Sequence, residues 1–241
     1  VKKAAESVKN YIAVKMGEID KDPFCTFDFI MDLSEKAGLK SCFYFISDHS
    51  DNKINCDYSI NDPEIVNLMK KIHKRGHEIG LHPGYDTFDN PEKLKNEFVK
   101  LQNVCAENGI IQDRWGSRQH YLRFSVPQTW SYLSEAGINY DSSVGFADHI
   151  GFRSGICYDH PVYNVVQRKR LDVIEKPLII MEKTVIDISY MNLGLTIDAE
   201  KIFFDIKKVV EMFGGSFSLL WHNSAFDTIG KKNIYMKILD S

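Results

Sequence analysis

The chain contains no run of about 18 consecutive apolar residues, so it offers no helix able to span a bilayer. Its opening, VKKAAESVKN, lacks the apolar stretch of a secretory signal and has the character of a helix entered midway. No C-x-x-C pair occurs among its five cysteines, Cys25, Cys42, Cys56, Cys105 and Cys157. Scattered and odd in number, they read as reduced thiols of a cytoplasmic protein rather than a disulfide framework or a structural zinc site. No G-x-G-x-x-G and no Walker loop follows any strand-like segment, which removes support for a nucleotide-binding open sheet. An excess of one charge is also missing. The net charge is −3, and the short lysine-rich stretches KKIHKRGHE and QRKR are bordered by acids, so they read as solvated faces and not as a nucleic-acid or membrane surface. No repeat, low-complexity tract or Gly/Ser/Pro linker divides the chain.

What is present is an ordinary globular composition, 44% hydrophobic and 26% charged over 241 residues, enough for a sizeable core in one domain spanning 1–241. Elements alternate. PFCTFDFIMDLSEKAG spaces its apolar residues at helical intervals and stops on Gly38. KSCFYFIS is a short buried strand. NDPEIVNLMKKIHKRG is a helix with Asp62 as cap, Pro63 at the first position and Gly76 at the end. HEIGLH is the next strand, and DNPEKLKNEFVKLQNVCAENG repeats the helix grammar with Asn90 or Asp89 as cap. WGSRQH reads as a strand, VPQTWSYLSEAG as a helix and INYDSSVG as a strand entering a loop. Beyond residue 145, KPLIIME, TVIDISY and SFSLLWH are expected as strands and DAEKIFFDIKKVVEMFGG as an amphipathic helix. Strands alternating with helices across short connections imply βα units and a parallel sheet, either open or closed into a barrel.

Candidate chemistry gathers at strand ends. GHEIGLHPG places two histidines and a glutamate within six residues of one another. His82, His120 and His222 each close a predicted strand, and in parallel α/β folds the carboxyl ends of strands converge on one face. Imidazoles delivered to one rim suit a metal site or an acid–base centre. His77 opens its strand at the opposite end, which suits a structural hydrogen bond. Asp48 and His49 close a fourth strand, but in the polar stretch SDHSDNK they read as a solvated loop. Arg118 and Arg123 flank His120, placed to meet an anionic or carbonyl-bearing substrate.

Taken together, GHEIGLH, RQHY, YDSSVGF and LLWHN resemble the motifs of the polysaccharide deacetylase family (carbohydrate esterase family four, the NodB-homology domain). RQHYLRF, YDSSVGF and GFRSGICY are most similar to an outlying subgroup associated with bacterial surface-polysaccharide and O-antigen gene clusters. The resemblance covers residues 20–160 well and 216–224 more thinly. It implies a distorted (β/α) barrel of about seven strands. It also implies a hydrolase that removes the acetyl group from N-acetylated sugars, sugar nucleotides or oligosaccharides. His82 matches a metal-binding histidine, Arg118 the arginine that orients a catalytic carboxylate, and His222 the general acid. Tyr121, Arg123, Asp141 and Arg153 fall on the substrate-binding side.

Three departures accompany it. The family's first strand, with its catalytic base and metal-binding aspartate, has no match before Phe24; CTFDF lies on a helix. The second metal histidine is replaced by Asp86, and a proline by His120, so both become candidate metal ligands. A divalent metal, zinc before nickel or cobalt, is therefore expected to be weakly held, and the chain to be weakly active or inactive. A catalytically dead relative that binds a glycan or a partner is the alternative. Nothing in the sequence indicates an oligomeric state.

Overall fold

The computed structural model describes residues 22–48 and 54–241. The helical character of the opening, the search for a first strand before residue 22 and the reading of His49 concern positions outside the described residues. Seven helices are present among those described: α1 (Phe27–Lys36), α2 (Pro63–Lys74), α3 (Pro91–Glu107), α4 (Gln128–Ala136), α5 (Glu182–Ile186), α6 (Ile197–Met212) and α7 (Ile229–Asp240). The eight strands are β1 (Cys42–Phe45), β2 (Glu78–Leu81), β3 (Gly116–Ser117), β4 (Tyr140–Asp141), β5 (His160–Asn164), β6 (Lys169–Glu175), β7 (Ile180–Met181) and β8 (Leu219–Leu220).

Local chemistry sets the helix limits. Pro63 and Pro91 open α2 and α3 at the position where a missing N–H costs nothing. Asn90 caps α3 by accepting from Lys93 N at 3.0 Å, whereas Asp62 accepts from Ser59 N at 2.8 Å instead and caps nothing. Gly137 ends α4 at φ 88°, a conformation that costs a residue with a Cβ.

Strands β1, β2, β3, β4 and β6 run parallel in that order, and β5 lies antiparallel to β6 at the far edge. β7 and β8 form a separate parallel pair. Backbone bonds carry the pattern between the two sheets: Leu178 N donates to Val144 O at 3.1 Å and Ile179 N to Ser218 O at 3.2 Å. One core, including Ile72, Ile79, Leu94, Leu101 and Leu133, fills the space between the first sheet and its helices. A second, around Ile180, Val185, Phe203 and Ile234, lies under β7, β8 and α6.

Two tyrosine side chains crossing the sheet each require a glycine. Tyr140 on β4 reaches past β3 to donate to Glu78 Oε2 on β2 at 2.5 Å. Gly116, its register partner on β3, has no room for a Cβ, which would overlap the Tyr140 ring. At Gly80 a Cβ would stand 2.6 Å from the Tyr44 ring.

Several expectations require correction. The mixed α/β fold with a mostly parallel sheet is as expected; among the described residues its eight short strands fall into sheets of six and two. TVIDISY is not a strand: residues 184–186 complete α5 and turns follow. Val185 is buried there and the Thr184 hydroxyl donates to Ala147 O at 2.8 Å, so packing overrides β-branched preference. WGSRQH supplies only Gly116–Ser117 as strand, and His120 begins a 3-10 turn. The β5–β6 hairpin, with QRKR running through its turn into β6, and the helix α7 had not been expected.

Candidate functional site

The parallel order of β1 to β4 delivers the residues after each strand to one rim. His82 directly follows β2, and its N–H donates to Phe45 O at 2.8 Å, prolonging the ladder by one step. Its ring Nδ1 lies 2.5 Å from Arg118 O. A carbonyl can only accept, so Nδ1 carries the proton and Nε2 keeps its lone pair. The His120 ring stands 4.9 Å from that of His82, centre to centre. Burial, and then the neighbouring His120, push the His82 pKa down to about 3. Burial, and then His222, lower that of His120 to about 4. Both rings are therefore neutral donors near pH 7.

His222 arrives from the other sheet, two residues after β8. Its Nδ1 lies 2.5 Å from Glu182 Oε1, which also accepts from the His222 backbone N–H at 3.2 Å. Glu182 is buried at the start of α5, and its second oxygen has no hydrogen-bond partner among the described residues. A buried carboxylate so placed holds the ring in one orientation, with Nδ1 turned to the carboxylate and Nε2 turned away from it. His82, Arg118 and His222 border one cleft of about 1310 Å³. The structure thus brings the three histidines and Arg118 to a common region.

Arg118 is fixed by bonds to Ser142, from Nε to its carbonyl at 2.9 Å and from an end nitrogen to its hydroxyl at 2.8 Å. Its guanidinium lies 4.8 Å from the centre of the Tyr44 ring. Other candidates sit elsewhere. Asp86 is exposed and pairs with Arg123 at 3.3 Å. Among the described residues no three His, Cys, Asp or Glu side chains form a group able to hold a metal. Arg123 also donates to Tyr85 O at 2.8 Å and stacks on Tyr85 and Phe88. Arg153 donates to Gly145 O at 3.0 Å and ties down the loop after β4. Tyr121 projects from the rim, exposed.

Asp141 is corrected from substrate contact to scaffold. It is fully buried, accepts from Ser117 Oγ at 2.5 Å and from Ser143 N at 2.8 Å, and stands beside Glu175, its register partner on β6. Burial raises both pKa values, and Glu175 is raised further by Asp141. His77 is buried at the far end of β2, where Nδ1 accepts from Ser41 N at 3.0 Å and Nε2 faces Glu35 at 3.2 Å.

Glu182, Glu175 and Glu97 escaped the sequence reading. Glu182 had a readable signal, since it closes the apolar run KPLIIME where a strand meets the rim. Glu175 and Glu97 had none: one lies in an unrecognised hairpin, the other on a helix that otherwise reads as amphipathic. Glu97 is buried behind the His82 loop, where Oε2 accepts from Gly84 N at 2.8 Å.

No family model matches this chain, and no curated protein matches it in sequence. Among solved structures it is similar to a 4-alpha-glucanotransferase from Thermococcus litoralis, with 13% identity and a TM-score of 0.51. The match covers 88% of this chain and 32% of that one, so the chain spans about a third of that protein's length. This likeness is one of fold.

Proposed function

We propose that this chain is a metal-dependent N-deacetylase that hydrolyses the acetamide of N-acetylated sugars. In this reading it has a distorted (β/α) barrel of polysaccharide deacetylase type and works in the cytoplasm in surface-polysaccharide synthesis. The observation that supports the proposal is the meeting of two neutral imidazoles, His82 and His120, with the Glu182–His222 pair at the carboxyl ends of strands from both sheets. The glucanotransferase likeness, to a protein named for an activity on glucans, is compatible with a sugar substrate.

His82 and His120 would hold the divalent metal, zinc before nickel or cobalt. The Nδ1–H of His82, engaged by Arg118 O, leaves Nε2 for that purpose. When bound, the metal supplies Lewis acidity that polarises the acetyl carbonyl and activates water. Two imidazoles are fewer than the three protein ligands usual for catalytic zinc, so binding is weak. The proton of the attacking water passes to His222, which returns it to the departing amine, while Glu182 holds the Nδ1 proton and stabilises the imidazolium between the two transfers. Arg118, immobilised by Ser142, brings positive charge to the same cleft.

The test is acetate release from N-acetylated sugars in the presence of zinc, nickel or cobalt. His222→Ala should lower kcat by about 10²–10⁴-fold with little change in KM. The pairing of Asp86 with Arg123, which leaves His82 and His120 without a carboxylate partner among the described residues, favours the second reading, a glycan-binding relative without activity. Sugar binding with no acetate release under any of the three metals would establish it.

A further inference from the structure

The loop after His82 and the turn that begins at His120 are held by the same small set of bonds. His120 N donates to Pro83 O at 3.3 Å. The next two backbone amides of the loop are taken by side chains from elsewhere in the chain. Gly84 N donates to Glu97 Oε2 at 2.8 Å, and Tyr85 N to Asn55 Oδ1 at 2.9 Å. A Cβ on Gly84 would stand 3.0 Å from Glu97 Oε1 and 3.1 Å from Asn55 Nδ2. Glycine at that position lets both side chains close on the loop backbone.

The bond from Tyr85 settles how the Asn55 amide is turned, although its two ends are alike in shape. A backbone N–H can only donate, so the end that meets it is the carbonyl oxygen. His120 Nδ1 faces that same oxygen at 3.4 Å, the long end of the hydrogen-bonding range. The oxygen has two lone pairs, one for Tyr85 N and one for the ring. Since it can only accept, the hydrogen between them belongs to Nδ1, and in a neutral imidazole Nε2 then keeps its lone pair. His82 reaches the same state by another route, with its Nδ1 against Arg118 O at 2.5 Å. A histidine free in water favours the other tautomer, with its hydrogen on Nε2. Two rings 4.9 Å apart are thus both held against that preference, each by an oxygen placed behind it. A nitrogen that binds a metal must offer a lone pair, and the hydrogen bond made by the opposite nitrogen decides whether it can.

We propose that Asn55 is a positioning residue for His120: its Oδ1 takes the Nδ1–H, so that the ring keeps its Nε2 lone pair for a divalent cation. The tautomer follows from the hydrogen bonds; its use for a metal rests on the deacetylase reading.

NMR correlation of ring nitrogens with ring protons in the full chain near neutral pH reads the tautomer directly, with His120→Gln to assign the signals. Wild-type His120 should carry its hydrogen on Nδ1. Asn55→Ala should return His120 to the Nε2–H form and leave His82 unchanged. Asn55→Asp still offers an acceptor and should keep the wild-type pattern. In equilibrium dialysis with zinc alone, Asn55→Ala should weaken binding about 10–100-fold, the usual cost of losing the partner behind a metal-bound imidazole, and Asn55→Asp should not. A wild-type His120 with its hydrogen on Nε2 overturns the proposal before any variant is made. Zinc binding unchanged in Asn55→Ala also overturns it, as does a wild type that takes up no zinc. If Asn55→Ala alters both rings, the residue holds the loop rather than one imidazole, and the assignment falls. A tautomer and zinc affinity that depend on Asn55, with no acetate release from N-acetylated sugars, leave Asn55 in place and remove the deacetylase. Acetate release by a protein whose His120 carries Nε2–H does the reverse.

Discussion

Replacing Glu97 with glutamine should stabilise the protein above neutral pH and leave it nearly unchanged at pH 4.5. Glu97 is 3% exposed, and its Oε1 has no hydrogen-bond partner among the described residues. Burial raises its pKa from an ordinary 4.5 to about 7, against the opposing effect of the Gly84 N–H; Asp48 adds to the rise, and Lys93 and Lys100 oppose it. The folded protein therefore holds this proton more tightly than the unfolded chain does. Stability from the protonated form is complete below pH 4.5 and is lost as pH rises through about 7. At about 1.4 kcal/mol per pH unit the loss reaches about 3 kcal/mol. Glutamine mimics the protonated acid: its carbonyl can keep the Gly84 N–H, and it carries no charge. Urea denaturation at intervals from pH 4.5 to 8 gives the free-energy difference between wild type and Glu97→Gln. Taking this difference cancels the contribution of His82 and His120, whose lowered pKa values remove stability toward acid. The difference should grow with pH in favour of glutamine and level off above pH 7. A flat difference, or a variant less stable than wild type at pH 8, would refute the reasoning.

Gly116→Ala should destabilise by about 1–3 kcal/mol or more in urea, because its Cβ overlaps the Tyr140 ring and the Tyr140–Glu78 bond must give way. Glu182→Gln should lower kcat on N-acetylated sugars by about 10²-fold with KM little changed, since the ring is still present but its anionic partner is gone; full activity would show that the pair has no catalytic part. In equilibrium dialysis with zinc, His82→Ala should abolish binding and Asp86→Ala should leave it unchanged, because Asp86 is already engaged by Arg123. Loss of zinc on Asp86→Ala would restore the aspartate as a ligand.

Local signals carried much of this protein. Helices α1, α2, α3, α4 and α6 were legible from apolar spacing, proline entry and glycine exit, each a matter of neighbouring residues and backbone freedom. The apolar runs around β1 and β2, and the alternation that made a parallel sheet, were legible for the same reason. So was the position of His82 directly after a strand. Where pairing or packing over long separations decides the outcome, the sequence reading failed. The β5–β6 hairpin turns at residues 165–168 and runs into the charged stretch QRKR, which resembles a solvated loop, and TVIDISY became helix because Val185 had a core to enter. Asp141 looked like a rim residue until the fold placed Glu175 beside it and closed both from water, at a separation of 34 residues along the chain. Glu182 and His222 lie 40 residues apart and meet because β7 and β8 are neighbours. Sequence alone supplies the imidazoles and the ends of the strands that carry them. Which carboxylate each imidazole faces, and how dry that place is, depends on distances between strands that only tertiary structure sets.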